Sequence, residues 1–343
     1  MRGIKNINSV ITGTGAYLPD FVLDNSMFNQ IIETSDEWIV SRTGIKERRI
    51  EQEKYNFEMI GEASKLAIKN AGLSPEQVDM IIVSTSAPDY NYPSTACFVQ
   101  RYIGAINSAS FDVAAACAGF VFVLDIADSY IKSGKAKNIL IASGEIIHRI
   151  ADYSDRANCV LFGDGAGAAV LSGVDCDEYA PRGILSSYIK CESDGQKLMS
   201  IYSKSYEPSE VFDKETKIFK GSAVKINNSF ITQNGREVYQ FVVRILPEIL
   251  ETATANAGIS VADLDYIVLH QANKRILEYV IDKYNLPPEK VPMNIEKYGN
   301  ISSATVPVLL HELNAANKIK SGDLIALAAF GSGLAYGAAV IRW

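Results

Sequence analysis

The feature that most narrows what this chain can fold into is an internal repeat. Asn70-Ala71-Gly72-Leu73-Ser74 leads through Val78-Asp79 to the apolar run from Met80 to Val83. Asn256-Ala257-Gly258-Ile259-Ser260 leads through Leu264-Asp265 to the run from Tyr266 to Leu269, at a constant separation of 186 positions. Each copy reads as a helix closed by a C-terminal glycine, a short turn and a buried strand. A second echo, Gly167-Ala168-Ala169-Val170 against Gly337-Ala338-Ala339-Val340, is offset by 170, so insertions distinguish the copies. A chain of 343 residues is long for one domain, and the repeat divides it into halves placed at 1–176 and 177–343. The runs Met80–Val83, Asn138–Ala142 and Leu324–Ala328 are apolar throughout rather than alternating, as strands are when helices cover both faces of a sheet. The polar stretch Ser193–Lys225 breaks this pattern and reads as an inserted loop region beside a cleft or interface.

Composition excludes several function classes. A net charge of −7 argues against nucleic-acid binding. No run of about 18 apolar residues spans a membrane, and the start of the chain lacks a secretory core, so a cytoplasmic location is expected. The five cysteines, 97, 117, 159, 176 and 191, form no C-x-x-C pair, which points to free thiols rather than a disulfide framework or a zinc site. Gly163-Asp164-Gly165-Ala166-Gly167 is not a G-x-G-x-x-G fingerprint. It reads as a tight turn near the cysteine discussed next. No metal, nicotinamide or flavin signature is present.

Cys117 follows the short strand Phe111–Val113 and opens the apolar stretch Ala118 to Ile131. At the first turn of a buried helix, free backbone amides and the helix dipole favour a thiolate and lower the thiol pKa. The neighbouring alanines and Gly119 leave room for a substrate. A buried small hydrophobe is the competing reading, and it is the one taken for Cys97, Cys159, Cys176 and Cys191. The repeat maps Cys117 onto Ser303, at the start of an expected helix from Ser302 to Ile319, with Asn300 just before it. His270 follows the strand Tyr266–Leu269. Taken singly, His270 could cap a helix and Asn300 could serve a turn. Together the three stand at strand-to-helix junctions on one face of a pseudo-symmetric sheet, where α/β folds bind ligands. His148 and His311 are read as structural.

These residues carry a resemblance over nearly the whole chain. Its segments are Thr34 to Ile45, Asp112 to Phe120, Phe162 to Gly167, His270-Gln271-Ala272-Asn273, Gly299 to Ala304 and Phe330-Gly331-Ser332-Gly333. In order and spacing the chain resembles the β-ketoacyl-acyl carrier protein synthase III family. The resemblance implies a thiolase-like five-layered αβαβα fold and a homodimer. It implies that Cys117 takes an acyl group, most often acetyl, from acyl-CoA. Malonyl-acyl carrier protein then loses carbon dioxide and its carbanion attacks the acyl-cysteine. His270 and Asn300 are expected to stabilise the enolate, and the amides of Cys117 and Ser332 to form the oxyanion hole. A small residue is usual at 332, and a backbone role tolerates serine. Coenzyme A recognition is implied for Thr34, Trp38, Arg42, Arg156, Gly235, Tyr239 and Asn273, with Tyr239 in place of a more usual Phe. Tyr92 is implied at the acyl pocket of the partner subunit. Gln271, Ala272, Asn273, Lys274 and Arg275 are implied in carrier docking, although Gln240 and Asp282 fall where cations are expected. No cofactor is implied, since acyl-CoA is a substrate.

Three other readings compete with this one. A relative from secondary metabolism using another acyl primer shares the same motifs. A non-catalytic chain-length partner fits poorly with intact Cys117, His270 and Asn300. A biosynthetic thiolase would need a second cysteine near the C-terminus, and none follows Cys191.

Overall fold

The computed structural model describes residues 7–175, 182–193, 199–201 and 231–343. The first sheet has the order β1 (Ile7–Tyr17), β7 (Asp164–Asp175), β6 (Asn138–Ile146), β4 (Met80–Ser84), β5 (Ala109–Val113). The second runs β8 (Gly183–Cys191), β13 (Ala335–Arg342), β12 (Leu324–Gly331), β11 (Tyr266–Leu269). The first three strands of each sheet pair antiparallel and the next joins in parallel. Even the register repeats: Met80 faces Ile139 in one sheet and Tyr266 faces Ile325 in the other, both pairs 186 apart. Small two-stranded pieces, β2 (Val22–Asp24) with β3 (Glu47–Arg49) and β9 (Met199–Ile201) with β10 (Ile231–Gln233), lie outside the repeat.

The sheets and helices stack in five layers, and the order follows from successive apolar side chains of each strand pointing to opposite faces. On one face of the first sheet Ile81, Val83, Leu140 and Val170 pack beneath helices Asn56–Asn70 and Thr95–Ile103. On its other face Ile82, Ile139, Ile141 and Leu171 meet helices Gly119–Lys132 and Thr305–Ala315, which also cover Val268, Ile325 and Leu327 of the second sheet. The outer face of that sheet, with Ile267, Leu269 and Val340, is closed by helices Gly235–Asn256 and Lys274–Tyr284. Strands buried on both faces need apolar side chains at every position, which is why the runs lack alternation.

Some boundaries differ from expectation. The helix after Asn300 is a tight turn, Ser302–Ala304, followed by Thr305–Ala315, and it stops short of Ile319. Residues 164–167 are not a turn but the start of β7, where Gly167 gives way to Pro307 of the central helix. Of the polar stretch 193–225 only Ser193 and Met199–Ile201 belong to the described residues, the latter as β9; the rest, the 176/177 division and Cys176 lie outside them. No helix among the described residues is long and apolar enough to cross a membrane.

The outer helix Asn56–Asn70 sits on β1 through two glycines. A Cβ at Gly15 would lie 2.1 Å from the Ala63 carbonyl oxygen, and one at Gly13 2.2 Å from that of Ala67. Gly15→Ala is expected to cost about 1–3 kcal/mol through overpacking, read as a lowered denaturation midpoint. An unchanged midpoint would mean that this contact is not maintained in solution.

Candidate active site

Cys117 stands in the tight turn Ala116–Ala118, between β5 and helix Gly119–Lys132. The residue before it, Ala116, has φ +45°, and the matching residue of the second half, Ser302, has φ +51°. Left-handed conformations are rare for residues bearing a Cβ and occur where surrounding packing imposes them. Here the two turns pack against each other. Cys117 Sγ lies 3.3 Å from Ser302 Oγ, and a Cβ at Gly331 would come within 2.6 Å of the Cys117 amide nitrogen. Gly331 therefore provides a close backbone approach to Cys117, and Ser332 follows it directly. Gly119 does not make room for substrate: a Cβ there would meet Ser84 Oγ at 1.7 Å.

His270 continues the parallel ladder past the end of β11, donating its backbone N–H to Ala328 O at 2.9 Å. Its ring packs edge-on to Phe330 at 5.1 Å between centroids. Nδ1 lies 2.6 Å from Thr305 Oγ1, and that hydroxyl also lies 2.9 Å from Ser302 O. The single hydroxyl proton selects the tautomer. Donated to Nδ1, it leaves the imidazole proton on Nε2; donated to Ser302 O, it leaves the imidazole proton on Nδ1. Asn300 is held by its backbone, which receives Gly163 N–H and donates to Leu161 O at 2.8 Å. Its Oδ1 accepts from Ser302 N at 2.8 Å, so Nδ2 is the group it can offer a ligand. Gly299, at φ +62°, permits this approach, since a Cβ there would sit 2.8 Å from Leu161 O.

Cys117, His270 and Asn300 all line one cavity of about 670 Å³, together with Phe162, Gln233, Val238 and Phe330. Trp38, Arg42, Gly235, Tyr239, Ala272, Asn273 and Arg275 line it too. Arg42 and Arg156 each place a guanidinium over the Trp38 indole, at 4.8 and 4.7 Å from the ring centroid. Arg236, which motif reading passed over, adds a further cation to the lining. Thr34 is half-buried beside Glu33, whose carbonyl accepts from Arg156, but it does not line the cavity. Asn273 caps helix Lys274–Tyr284 and donates from Nδ2 to Arg42 O at 3.1 Å. Lys274 pairs with Glu278 at 3.3 Å, and Arg275 reaches Ser41 O at 3.2 Å.

One expectation needs correction here. Gln271 is fully buried, donating to Leu269 O and accepting from Asn294 N, so its side chain cannot meet a carrier. Tyr92, 91% exposed, does not reach the cavity of its own chain. Of the other histidines, His148 bonds Asp164 and His311 bonds Thr14.

The electrostatics also depart from expectation. Burial pushes the Cys117 thiol up to about 12, outweighing its contact with Ser302 and its backbone hydrogen bond. Burial holds His270 down at about 3, so the imidazole is neutral. Glu145, also buried, is raised to about 7. Sequence motifs gave no signal for Glu145 or Thr305 and no task for Ser302 within its segment; their roles come from what the fold places beside them. Among the described residues no cluster of His, Cys, Asp and Glu is suited to a metal ion.

A depressed His270 pKa means that the unfolded chain takes up a proton the folded chain refuses. Its stabilising contribution is present above pH 6.5 and is lost as pH falls toward 3. Glu145 acts oppositely, its contribution present below pH 4.5 and lost as pH rises through 7. His270→Asn removes the His270 share, so between pH 6.5 and 4.5 its Tm, measured by calorimetry, is expected to rise relative to that of the unsubstituted chain as pH falls. A slope identical to that of the unsubstituted chain would contradict a buried neutral imidazole.

With this geometry in place, comparison with known proteins is informative. The C-terminal profile of 3-oxoacyl-[acyl-carrier-protein (ACP)] synthase III matches residues 254–343, and a second profile of that family matches residues 111–194. Beta-ketoacyl-[acyl-carrier-protein] synthase III of Aquifex aeolicus (strain VF5) is 41% identical over 333 residues, covering 97% of this chain and 99% of that protein. The crystal structure of 3-oxoacyl-[acyl-carrier-protein] synthase III from Aquifex aeolicus VF5 superposes with a TM-score of 0.86, covering 98% of this chain and 100% of that one. The priming β-ketosynthase of the R1128 polyketide biosynthetic pathway superposes with a TM-score of 0.88 at 29% identity, covering 99% and 98%. The turn that presents Cys117, the junctions that present His270 and Asn300, and full-length similarity above 40% lead to one conclusion: this chain belongs to the 3-oxoacyl-[acyl-carrier-protein] synthase III family of acyl-transferring condensing enzymes.

Proposed function

We propose that the protein transfers an acyl group, acetyl in the first instance, from acyl-CoA to Cys117. It then condenses that group with malonyl-acyl carrier protein by decarboxylative Claisen condensation, initiating fatty-acid synthesis. The observation that carries this reading is the convergence of Cys117, His270 and Asn300 on the floor of one cavity whose lining includes Trp38 and several arginines. In a chain of net charge −7, Arg42, Arg156, Arg236 and Arg275 form a local basic site suited to the phosphates of coenzyme A. The adenine stacks on Trp38 when one guanidinium yields its face. Gly235, Tyr239 and Asn273 flank the pantetheine arm, and Thr34 supports the nucleotide end.

Cys117 Sγ attacks the thioester carbonyl, whose oxyanion takes hydrogen bonds from the amides of Cys117 and Ser332. In the second half-reaction His270 Nε2–H and Asn300 Nδ2–H donate to the malonyl thioester oxygen as carbon dioxide departs. A neutral imidazole with its proton on Nε2 suits this task, and Thr305 supplies that tautomer when its hydroxyl donates to Nδ1. The thioesters carry the activation, so the reaction calls for no cofactor or metal. Lys274 and Arg275 are the cations offered to the carrier protein. Tyr92, two residues from exposed Tyr90, whose ring packs against that of exposed Tyr55, faces a second copy of the chain, completing the acyl pocket of a cytoplasmic homodimer. The higher identity with fatty-acid initiators than with the polyketide priming enzyme favours the fatty-acid role.

Intact-protein mass spectrometry after mixing with a panel of acyl-CoAs tests the first half-reaction. An acyl adduct is expected on the native chain and none on Cys117→Ala; no adduct from any donor would reject the acyl-enzyme. Asn300→Ala should still acylate but lose about 10²–10³-fold in condensation rate, the cost of one lost oxyanion donor. Equal loss in both steps would assign Asn300 to structure instead. Arg156→Ala is expected to raise KM for acetyl-CoA about tenfold with kcat little changed, in keeping with one charge-assisted contact.

A further inference from the structure

Arg48, at the centre of β3, has no exposed surface, and nothing in the chemistry above calls on it. A buried guanidinium is costly unless its donors are met. Its partners are few and specific. Nη1 donates to Asn25 Oδ1 at 2.8 Å and to Leu23 O at 3.2 Å, and Nη2 donates to Val160 O at 2.5 Å. None of these acceptors is a carboxylate. The guanidinium lies over the Phe28 ring, 4.6 Å from its centroid. Burial draws the Arg48 pKa down to about 10, which still leaves the group charged at neutral pH.

Both arms of this arrangement lead to the residues about Trp38. Asn25 is itself buried, and its Nδ2 donates to Asp36 Oδ1 and to Ile45 O, each at 2.8 Å. Asp36 opens helix Asp36–Thr43, and Ile45 follows the glycine that caps it. One carboxamide therefore spans both ends of the helix that carries Trp38 and Arg42, and Arg48 holds that carboxamide. On the other arm, Val160 caps helix Arg156–Cys159, whose first residue is Arg156. The Arg156 guanidinium lies 4.7 Å from the Trp38 ring centroid. Arg48 thus ties the helix bearing Trp38 to the helix bearing Arg156. Two donors on one rigid plane fix the distance between their acceptors, as a flexible or single donor does not.

We propose that Arg48 is a positioning residue for nucleotide recognition, setting the separation of Trp38 and Arg156 to fit the adenine and phosphates of acyl-CoA without touching them. This rests on the coenzyme A reading given above. Arg48 is buried and does not line the cavity, so it acts only through the two helices. A mouth held at fixed width spares the ligand the ordering cost that a loose one imposes. The reacting end of the ligand belongs to Cys117, His270 and Asn300, to which Arg48 makes no hydrogen bond. Its Cβ packs over the backbone beside Asn300, since a Cβ at Gly163 or Gly299 would come within 3.4 Å of it. Methionine keeps that stem and removes only the donors.

The test compares two acetyl donors on the full chain, acetyl-CoA and acetyl-pantetheine, the second lacking the nucleotide. Initial rates of Cys117 acetylation are followed by intact mass over a range of donor concentrations. For Arg48→Met the half-saturating concentration of acetyl-CoA is expected to rise about tenfold, the scale of one charge-assisted contact, with the maximal rate little changed. Acetyl-pantetheine should acetylate the native chain and Arg48→Met alike. Should Arg48→Met not fold, Asn25→Ala takes its place with the same expectations, since it frees helix Asp36–Thr43 from Arg48 and leaves the guanidinium intact. A loss with acetyl-pantetheine as large as that with acetyl-CoA, or no loss with acetyl-CoA, overturns this inference alone. A native chain that takes acetyl from acetyl-pantetheine as readily as from acetyl-CoA overturns the coenzyme A reading and this inference with it.

Discussion

The contact on which the rest depends is that between two tight turns, Ala116–Ala118 and Ser302–Ala304, at the heads of the two central helices. Each turn carries a left-handed residue at the same repeat position, Ala116 in one and Ser302 in the other. Their separation is set by groups with no spare volume: Gly119 against Ser84, Gly331 against the Cys117 amide, and Cys117 Sγ against Ser302 Oγ. Protein interiors are packed too densely for such turns to drift apart. Strain of about 1–3 kcal/mol at each left-handed residue is sustained by the five layers around it. In return, a sulfur, an imidazole and an amide from distant parts of the chain share one cavity.

Burial then decides the chemistry. The thiol and imidazole that line the cavity, and the carboxyl group of Glu145 outside its lining, are each shifted by burial toward the neutral form: the thiol is raised, the imidazole lowered and the carboxyl raised. A site of this kind favours thioester chemistry, in which charge develops only in passing on sulfur and on carbonyl oxygens met by preorganised donors. The permanent charge lies at the mouth, where arginines gather about Trp38 and solvent access makes the ions affordable. The division between a neutral floor and a basic mouth fits a ligand with an anionic head and a neutral, reactive tail.

The repeat explains why one half bears the nucleophile and the other the donors. The positions match one for one: Cys117 with Ser303, Ser84 with His270, Gly119 with Thr305 and Glu145 with Gly331. At each pair the two halves have taken different side chains. Where the second half has His270 supported by Thr305, the first has Ser84 packed against Gly119, with no space for a ring. Where the first half has Glu145, the second has Gly331, whose missing side chain admits the Cys117 turn. A symmetric scaffold thus holds an asymmetric site.

Much of this was legible in the chain. The separation of 186 predicted two matching α/β units because helix ends and strands leave local signatures in glycines and apolar runs. The places of Cys117, His270 and Asn300 followed from strand-to-helix junctions and motif order. What stayed hidden depended on neighbours distant in sequence. The helix dipole suggested a lowered Cys117 pKa, but the layers burying the sulfur reverse that shift. Gln271 sat in a docking motif, yet its backbone turns the side chain into the core. Glu145 and Thr305 belong to no pattern, and the motif that holds Ser302 did not show its task, since their significance lies in contacts spanning up to 185 positions, as from Ser302 to Cys117. The sequence by itself determined the elements, their duplication and the reactive residue types, because propensity and periodicity are local. Only the tertiary structure decided protonation and mutual reach, because desolvation and hydrogen bonding depend on what the fold brings close.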